Sequence, residues 1–196
     1  MHSGLFCSIL GKIFEEVISV EGMRFIRPTE EYLDQVWAYK QEMAAADSSM
    51  DGTGPLRRVE SAEEWLKYSR TCETIEKSEK LVPATQFILV RESDNKLVGM
   101  LQVRHCFNAY LEKYAGHIGY SVRPDERRKG YAKAMLKEAL KFCREELGLE
   151  KVLITCLTEN EGSRRTILSC GGVYEYTIHE PDDNEDLERY WVSTKE

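Results

Sequence analysis

The chain has 196 residues, 42% hydrophobic and 31% charged, which suits one well-buried α/β domain and is short for two. Its formal charge of -7 argues against nucleic acid or an anionic membrane as the main partner, since both select a net basic surface. No apolar run approaches the roughly 20 residues of a membrane span, and Cys7, Cys72, Cys106, Cys143, Cys156 and Cys170 show no paired spacing, so reduced thiols in a cytoplasm are expected, with neither zinc nor disulfides.

Residues 1–22 read as an appended segment, with the main domain spanning 23–196. Leu5 to Leu10 is apolar, but Lys12, Glu15 and Glu16 interrupt it and no basic stretch precedes it, unlike a signal peptide. Ile9, Ile13, Phe14 and Val17 fall at helical spacing. A second methionine, Met23, stands before the first strand, Arg24 to Arg27. Thr29 is placed to cap the next helix, with Leu33, Val36, Trp37 and Tyr39 on its buried side. Asp47 to Pro55 reads as a loop, and Ser61 with Glu64 forms a capping box for a helix carrying Trp65, Leu66, Cys72 and Ile75.

The period then changes. Phe87 to Arg91 and Leu97 to Arg104 are strands joined by the hairpin signal Ser93-Asp94-Asn95-Lys96, and His117 to Val122 is a third. Ala132, Met135, Leu136, Ala139, Leu140, Cys143 and Leu147 repeat at helical spacing, and Gly148 closes that helix. Val152 to Leu157 is a buried strand, Ser163 to Cys170 a short helix, and Val173 to His179 and Tyr190 to Thr194 closing strands around the acidic loop Asp182 to Asp186. Helices mixed with hairpins and one strand–helix–strand crossover imply a mixed sheet covered by helices, with a parallel pair where ligands tend to bind.

Arg123-Pro124-Asp125-Glu126-Arg127-Arg128-Lys129-Gly130-Tyr131-Ala132 leaves a strand and opens the best helix of the chain. Its four cations oppose the positive end of the helix dipole, a conflict that a bound anion removes. Gly130 would let such an anion approach the backbone. The other reading is a solvated basic turn, diluted by Asp125 and Glu126. Neither a P-loop nor Gly-x-Gly-x-x-Gly occurs here.

This stretch resembles the acetyl-CoA loop of the GCN5-related N-acetyltransferases (the GNAT family), whose pattern is met by Arg127, Gly130 and Ala132. Asn160-Glu161-Gly162-Ser163, followed by Gly171-Gly172, resembles the family's segment after its fifth strand. Gly116 to Pro124 and Val152 to Cys156 are similar to a bacterial branch of predicted acetyltransferases. The resemblance covers about residues 23–196 and implies an α/β (α+β) fold: a mixed, mostly antiparallel sheet, a central parallel pair that splays apart, and helices on both faces. It implies acetyl-CoA as donor, without a metal. Arg127 and the N–H groups of Arg128, Lys129, Gly130, Tyr131 and Ala132 would hold the pyrophosphate. The backbone of Tyr120, Ser121 and Val122 would pair with the pantetheine arm, while Asn160 and Ser163 face it from the far side or simply cap a helix.

Acetyl transfer to an amine needs a base, oxyanion donors and an acid for the leaving thiolate. Where many family members place a Tyr acid, four residues before the terminal Gly, this chain has Ile167; Tyr174 and Tyr176 could substitute or be core strand residues. Candidate bases are His117, at the start of the cofactor strand, and His105, near Asn108, with Glu92 third. Each could equally be structural. Cys156 fits a core residue better than a nucleophile. The acidic loop suits a cationic acceptor or plain solvation. The leading expectation is N-acetylation of a small-molecule or peptide amine by a monomer or homodimer. Non-catalytic acyl-CoA binding for regulation is the alternative, and a nucleotide-phosphate enzyme ranks last.

Overall fold

In the computed structural model, which describes residues 18–20 and 22–195, the strands divide between two antiparallel sheets. One runs in the order β1 (Ile18–Val20), β2 (Met23–Ile26), β3 (Ala84–Arg91), β4 (Lys96–Arg104), β5 (Ile118–Val122). The other holds β6 (Lys151–Leu157), β8 (Glu185–Ser193) and β7 (Val173–Glu180), with β8 in the middle. The helices are α1 (Leu33–Ala45), α2 (Ala62–Cys72), α3 (Tyr131–Glu145) and α4 (Glu161–Ser169). No helix among the described residues is long and apolar enough to cross a membrane.

β3 and β4 are buried along almost their whole length, because helices cover both faces of the sheet. Phe87, Leu89, Leu101 and Val103 join α3 residues Met135, Leu136, Ala139 and Cys143 in one cluster. Ile88, Val90, Leu97 and Met100 turn the other way, onto Val36, Tyr39 and Met43 of α1 and Trp65 and Leu66 of α2. Strand alternation thus feeds two cores from one pair of strands. Each fully buried Leu or Met contributes about 1.5–3 kcal/mol.

The mixed α/β architecture with helices on both faces is the one expected from the sequence. The strand pair expected to splay has opened completely: β5 and β6 share no ladder. They meet only at one end, through an isolated bridge between Gly116 and Ile154 and the bond from His117 N to Leu153 O at 2.7 Å. Gly116 permits the approach, since a Cβ there would lie 2.4 Å from Leu153 O.

Local expectations hold with some shifts. Ser61 Oγ accepts from Glu64 N at 3.1 Å, but the Glu64 carboxylate takes the N–H of Glu60 rather than that of Ser61. α2 ends at Cys72, leaving Ile75 beyond it. Thr29 stands at the N-cap of a short 3-10 turn, Glu30–Tyr32, rather than of α1, and its side chain makes no capping bond. β8 begins at Glu185, so part of the expected acidic loop is strand and the rest a hairpin turn. The helical spacing seen in residues 9–17 lies outside the described residues, whereas residues 18–20 of the appended segment pair with β2 as an edge strand.

Candidate active site

The phase of the β4–β5 ladder decides which peptide groups face the opening. Arg104 N donates to His117 O at 2.8 Å and Arg123 N to Val98 O at 3.0 Å, so odd-numbered residues of β5 bond to β4. Ile118, Tyr120 and Val122 therefore turn their peptides toward the gap facing β6. Val122 O is met there by Arg127 Nε at 3.2 Å. Ser121, expected along the same edge, belongs to the closed side. Its hydroxyl accepts from Tyr39 at 3.0 Å and donates to Asp51 O at 2.7 Å.

At the end of β5 the chain passes a short 3-10 turn, Pro124–Glu126, and enters α3 through two left-handed residues, Arg128 (φ 63°) and Gly130 (φ 87°). Nothing lies within 4 Å of where a Cβ on Gly130 would sit. The N–H groups of Tyr131 and Ala132 open the helix, no side chain caps it, and no acidic residue occupies its first turn. The junction is less bare than its sequence implies. Arg123 is buried and structural, with Nε on Leu97 O at 2.6 Å, Nη2 on Gln35 O at 3.0 Å, and an ion pair to Glu42. Glu126 is buried beneath Arg91, Lys96 and Lys129, at 2.8, 2.8 and 2.7 Å. Those cations, Arg91 foremost, hold its carboxyl far below the usual range. Arg127 reaches Ser48 Oγ at 2.8 Å, and Tyr131 Oη receives Arg91 Nη1 at 3.2 Å. Arg128 makes no hydrogen bond or ion pair among the described residues.

Across the gap, Asn160 Oδ1 caps α4 by accepting from Ser163 N at 3.0 Å. Tyr120 spans the opening from β5, its hydroxyl 2.9 Å from Ser163 Oγ. Burial raises its phenol above the ordinary value, so it stays protonated. Ile167 is fully buried and packs on Gly172, so no acid comes from that position. Tyr174 and Tyr176 are exposed on β7, at 51% and 43%, rather than core residues.

The histidines do not behave as bases. His117 is buried, and its Nδ1 accepts from Leu153 N at 3.0 Å. Burial, helped by the nearby Arg104 charge, pulls its pKa down to about 4. The lone pair is spent on joining the two sheets, and the ring packs 3.9 Å from Phe107. His105 bonds Thr85 Oγ1 at 2.8 Å and lies 6.4 Å from Phe142, toward the far end of α3 from the basic loop. Burial lowers its pKa as well. Glu92 sits exposed in the β3–β4 turn. Cys156 is buried and its thiol is pushed up to about 11, which excludes a ready nucleophile.

Sequence reading missed a cavity of about 500 Å³ on the α1–α2 face, floored by Ala84, Gln102 and Arg104 and roofed by the 50–55 loop. That loop is clamped to β5: a Cβ on Gly52 would lie 2.1 Å from Gly119 O and 2.6 Å from Tyr120 N. The signal was the pair of glycines Gly52 and Gly54, both with positive φ, in what looked like a slack loop. The acidic hairpin also converges here, since Asp183, Glu159, Asp51 and Glu180 all act on Glu185. Burial first, then those like charges, raises its carboxyl.

Comparison with known proteins places this geometry. A profile described as an acetyltransferase (GNAT) domain matches residues 23–173. Among curated Bacillus subtilis proteins, the SPbeta prophage-derived uncharacterized N-acetyltransferase YokL is 34% identical over 119 residues, 60% of this chain and 58% of that protein. The uncharacterized N-acetyltransferase YnaD is 26% identical over 117 residues, 58% of this chain and 65% of its own length. The chain thus spans about three fifths of the curated relatives it matches. The ribosomal-protein-S5-alanine acetyltransferase of Vibrio fischeri shares the fold at a TM-score of 0.70 and 16% identity, covering 91% of this chain and 97% of that one. The microcin C7 self-immunity acetyltransferase MccE, solved with acetyl-CoA and AMP, aligns at 0.67 with 15% identity, covering 89% and 93%. With its cofactor-loop pattern, its opened strand pair and a profile match over most of its length, the chain belongs to the GNAT acetyltransferase family.

Proposed function

We propose that the protein transfers an acetyl group from acetyl-CoA directly to a primary amine of a small molecule or peptide. One observation carries this reading: the open edge of β5, facing the gap to β6, runs straight into an uncapped helix N-terminus beside Arg127, Arg128 and Gly130. A thioester arm with two amides and a diphosphate needs such a sequence of groups: an unpaired strand edge, then N–H donors and positive charge. Ile118, Tyr120 and Val122 supply the edge, Arg128 to Ala132 the donors, and Asn160 faces them from α4.

In the transfer, the neutral amine bonds to the thioester carbon, the carbonyl oxygen takes negative charge, and the carbon–sulfur bond then breaks. The amine's proton leaves toward the carboxylates of the acidic hairpin. The departing thiolate takes a proton. Tyr120, protonated and lying across the gap, is the donor in the role that Ile167 cannot fill.

Calorimetry with acetyl-CoA, followed by thiol release over a panel of amines, tests this. Saturable binding and amine-dependent release are expected. A folded protein that ignores acetyl-CoA would remove the reading, and binding without release for any amine would favour the regulatory alternative.

A further inference from the structure

The two buried arginines among the described residues are matched by carboxylates, and the half-buried Arg104 is not. Arg123 and Arg189, 4% and 5% exposed, pair with Glu42 and Glu175. Arg104 on β4 donates from Nη1 to Ala115 O at 3.3 Å and Gly116 O at 3.2 Å, and no carboxylate among the described residues pairs with it. It is half-buried, and desolvation works against its charge, opposed mainly by Asp51. A guanidinium does not give up its proton in a protein, so a charge with no carboxylate bonded to it persists.

Arg104 lines the 500 Å³ cavity beneath the 50–55 loop. Two residues back on the same face of β4, Gln102 also lines it, is 8% exposed, and has no hydrogen-bond partner among the described residues. Buried polar groups without partners are rare in native interiors. Gln102 without a partner, beside a guanidinium that no carboxylate holds, describes a floor suited to a ligand. Its chemistry is anion or acceptor, because a guanidinium only donates and its planar fork suits a carboxylate. The mouth is different, with Asp51 on the roof beside β5 and Glu79 on the outer wall, alongside Arg58 and Lys80.

We propose that this cavity takes a small amine bearing a carboxylate, of the amino-acid class. Its carboxylate lies on Arg104 and Gln102, and its amino group points to Asp51, which the 50–55 loop holds against β5. This rests on the acetyltransferase reading above and narrows its acceptor. A polyamine would set a second cation against Arg104.

The test compares matched acceptors with acetyl-CoA as donor: amino acids and dipeptides, their carboxamides, and aliphatic diamines. Carboxylates should exceed carboxamides by about tenfold or more in kcat/KM, as a charge-assisted bidentate contact allows. Arg104→Met should abolish that preference through KM, with acetyl-CoA affinity unchanged. Arg104 also ties two carbonyls, so Gln102→Leu serves as a second variant that breaks no bond within the protein. It should raise KM for carboxylates several-fold, roughly what one hydrogen bond supplies. Equal use of carboxylates and carboxamides, or turnover of diamines alone, overturns the inference and leaves the acetyltransferase reading standing. So does failure of every carboxylate to bind the CoA-loaded protein in calorimetry while acetyl-CoA itself binds. Loss of acetyl-CoA binding by the unaltered protein would take both down.

Discussion

Alanine at two glycines with the same kind of backbone separates steric closure from conformational strain. Gly52 (φ 73°) and Gly130 (φ 87°) both sit in the left-handed region, where a side chain costs about 1–2 kcal/mol. At Gly130 the new Cβ meets nothing within 4 Å, so that strain is the whole effect. At Gly52 it meets Gly119 O at 2.1 Å, and since carbon–oxygen contacts lie near ~3.3 Å the loop must retreat by roughly 1 Å. Forced displacement in a packed site adds about 1–3 kcal/mol. The retreat also strains Gln86 Nε2 to Gly52 O at 2.8 Å and Ser121 Oγ to Asp51 O at 2.7 Å, each worth about 1 kcal/mol. Gly52→Ala should therefore cost about 3–5 kcal/mol and Gly130→Ala about 1–2. Urea unfolding reads both as shifts in midpoint at constant slope. Equal losses in the two variants would refute the placement of the 50–55 loop against β5, and with it the roof of the cavity.

Other perturbations address single groups. Gly130→Glu should fold with a loss near ~1–2 kcal/mol, yet weaken acetyl-CoA by about 10-fold or more by setting a carboxylate where the diphosphate is proposed. Unchanged affinity in calorimetry contradicts that placement. Glu126→Gln removes the common anion of Arg91, Lys96 and Lys129 and should cost ~3 kcal/mol at pH 7. Because the folded carboxyl lies below its unfolded value, its stabilisation is complete above about pH 4.5 and fades as pH falls. Denaturation curves of parent and variant should thus converge in acid. His117→Phe keeps a ring against Phe107 but strands Leu153 N–H, for about 1–3 kcal/mol. The histidine's pKa falls from 6.5 to about 4 on folding, so its contribution is present above pH 6.5 and lost on descent to 4, a slope the variant should lack. Loss of an ionisation from its pH–rate profile would restore His117 as base. Tyr120→Phe should lower kcat by about 100-fold with little change in acetyl-CoA affinity, if its hydroxyl protonates the thiolate. Unaltered kcat across pH dismisses it.

Much of the site was legible in the chain because its signals are local. The run Arg127 to Ala132 carries its own backbone requirement, and Asn160 caps the helix that its spacing to Ser163 implies. Reading failed where partners come from far away. Arg123 looked like one of four exposed cations, but Glu42 and Gln35, more than eighty positions earlier, take it into the core. His117 looked like a base from its place on the strand, and only the arrival of Leu153 showed its lone pair to be occupied.

Sequence alone determined most of the elements, their order and the phosphate-loop pattern, because hydrophobic period, caps and turns act over a few residues. The tertiary structure decided which peptide groups of β5 stay open, how the 50–55 loop closes over β4, and that Arg104 and Gln102 line one cavity. Those facts depend on ladder phase and on contacts between segments distant along the chain. Neither the distance between segments nor the direction of a side chain is written in local pattern, and burial acquires its meaning only once the segments have met.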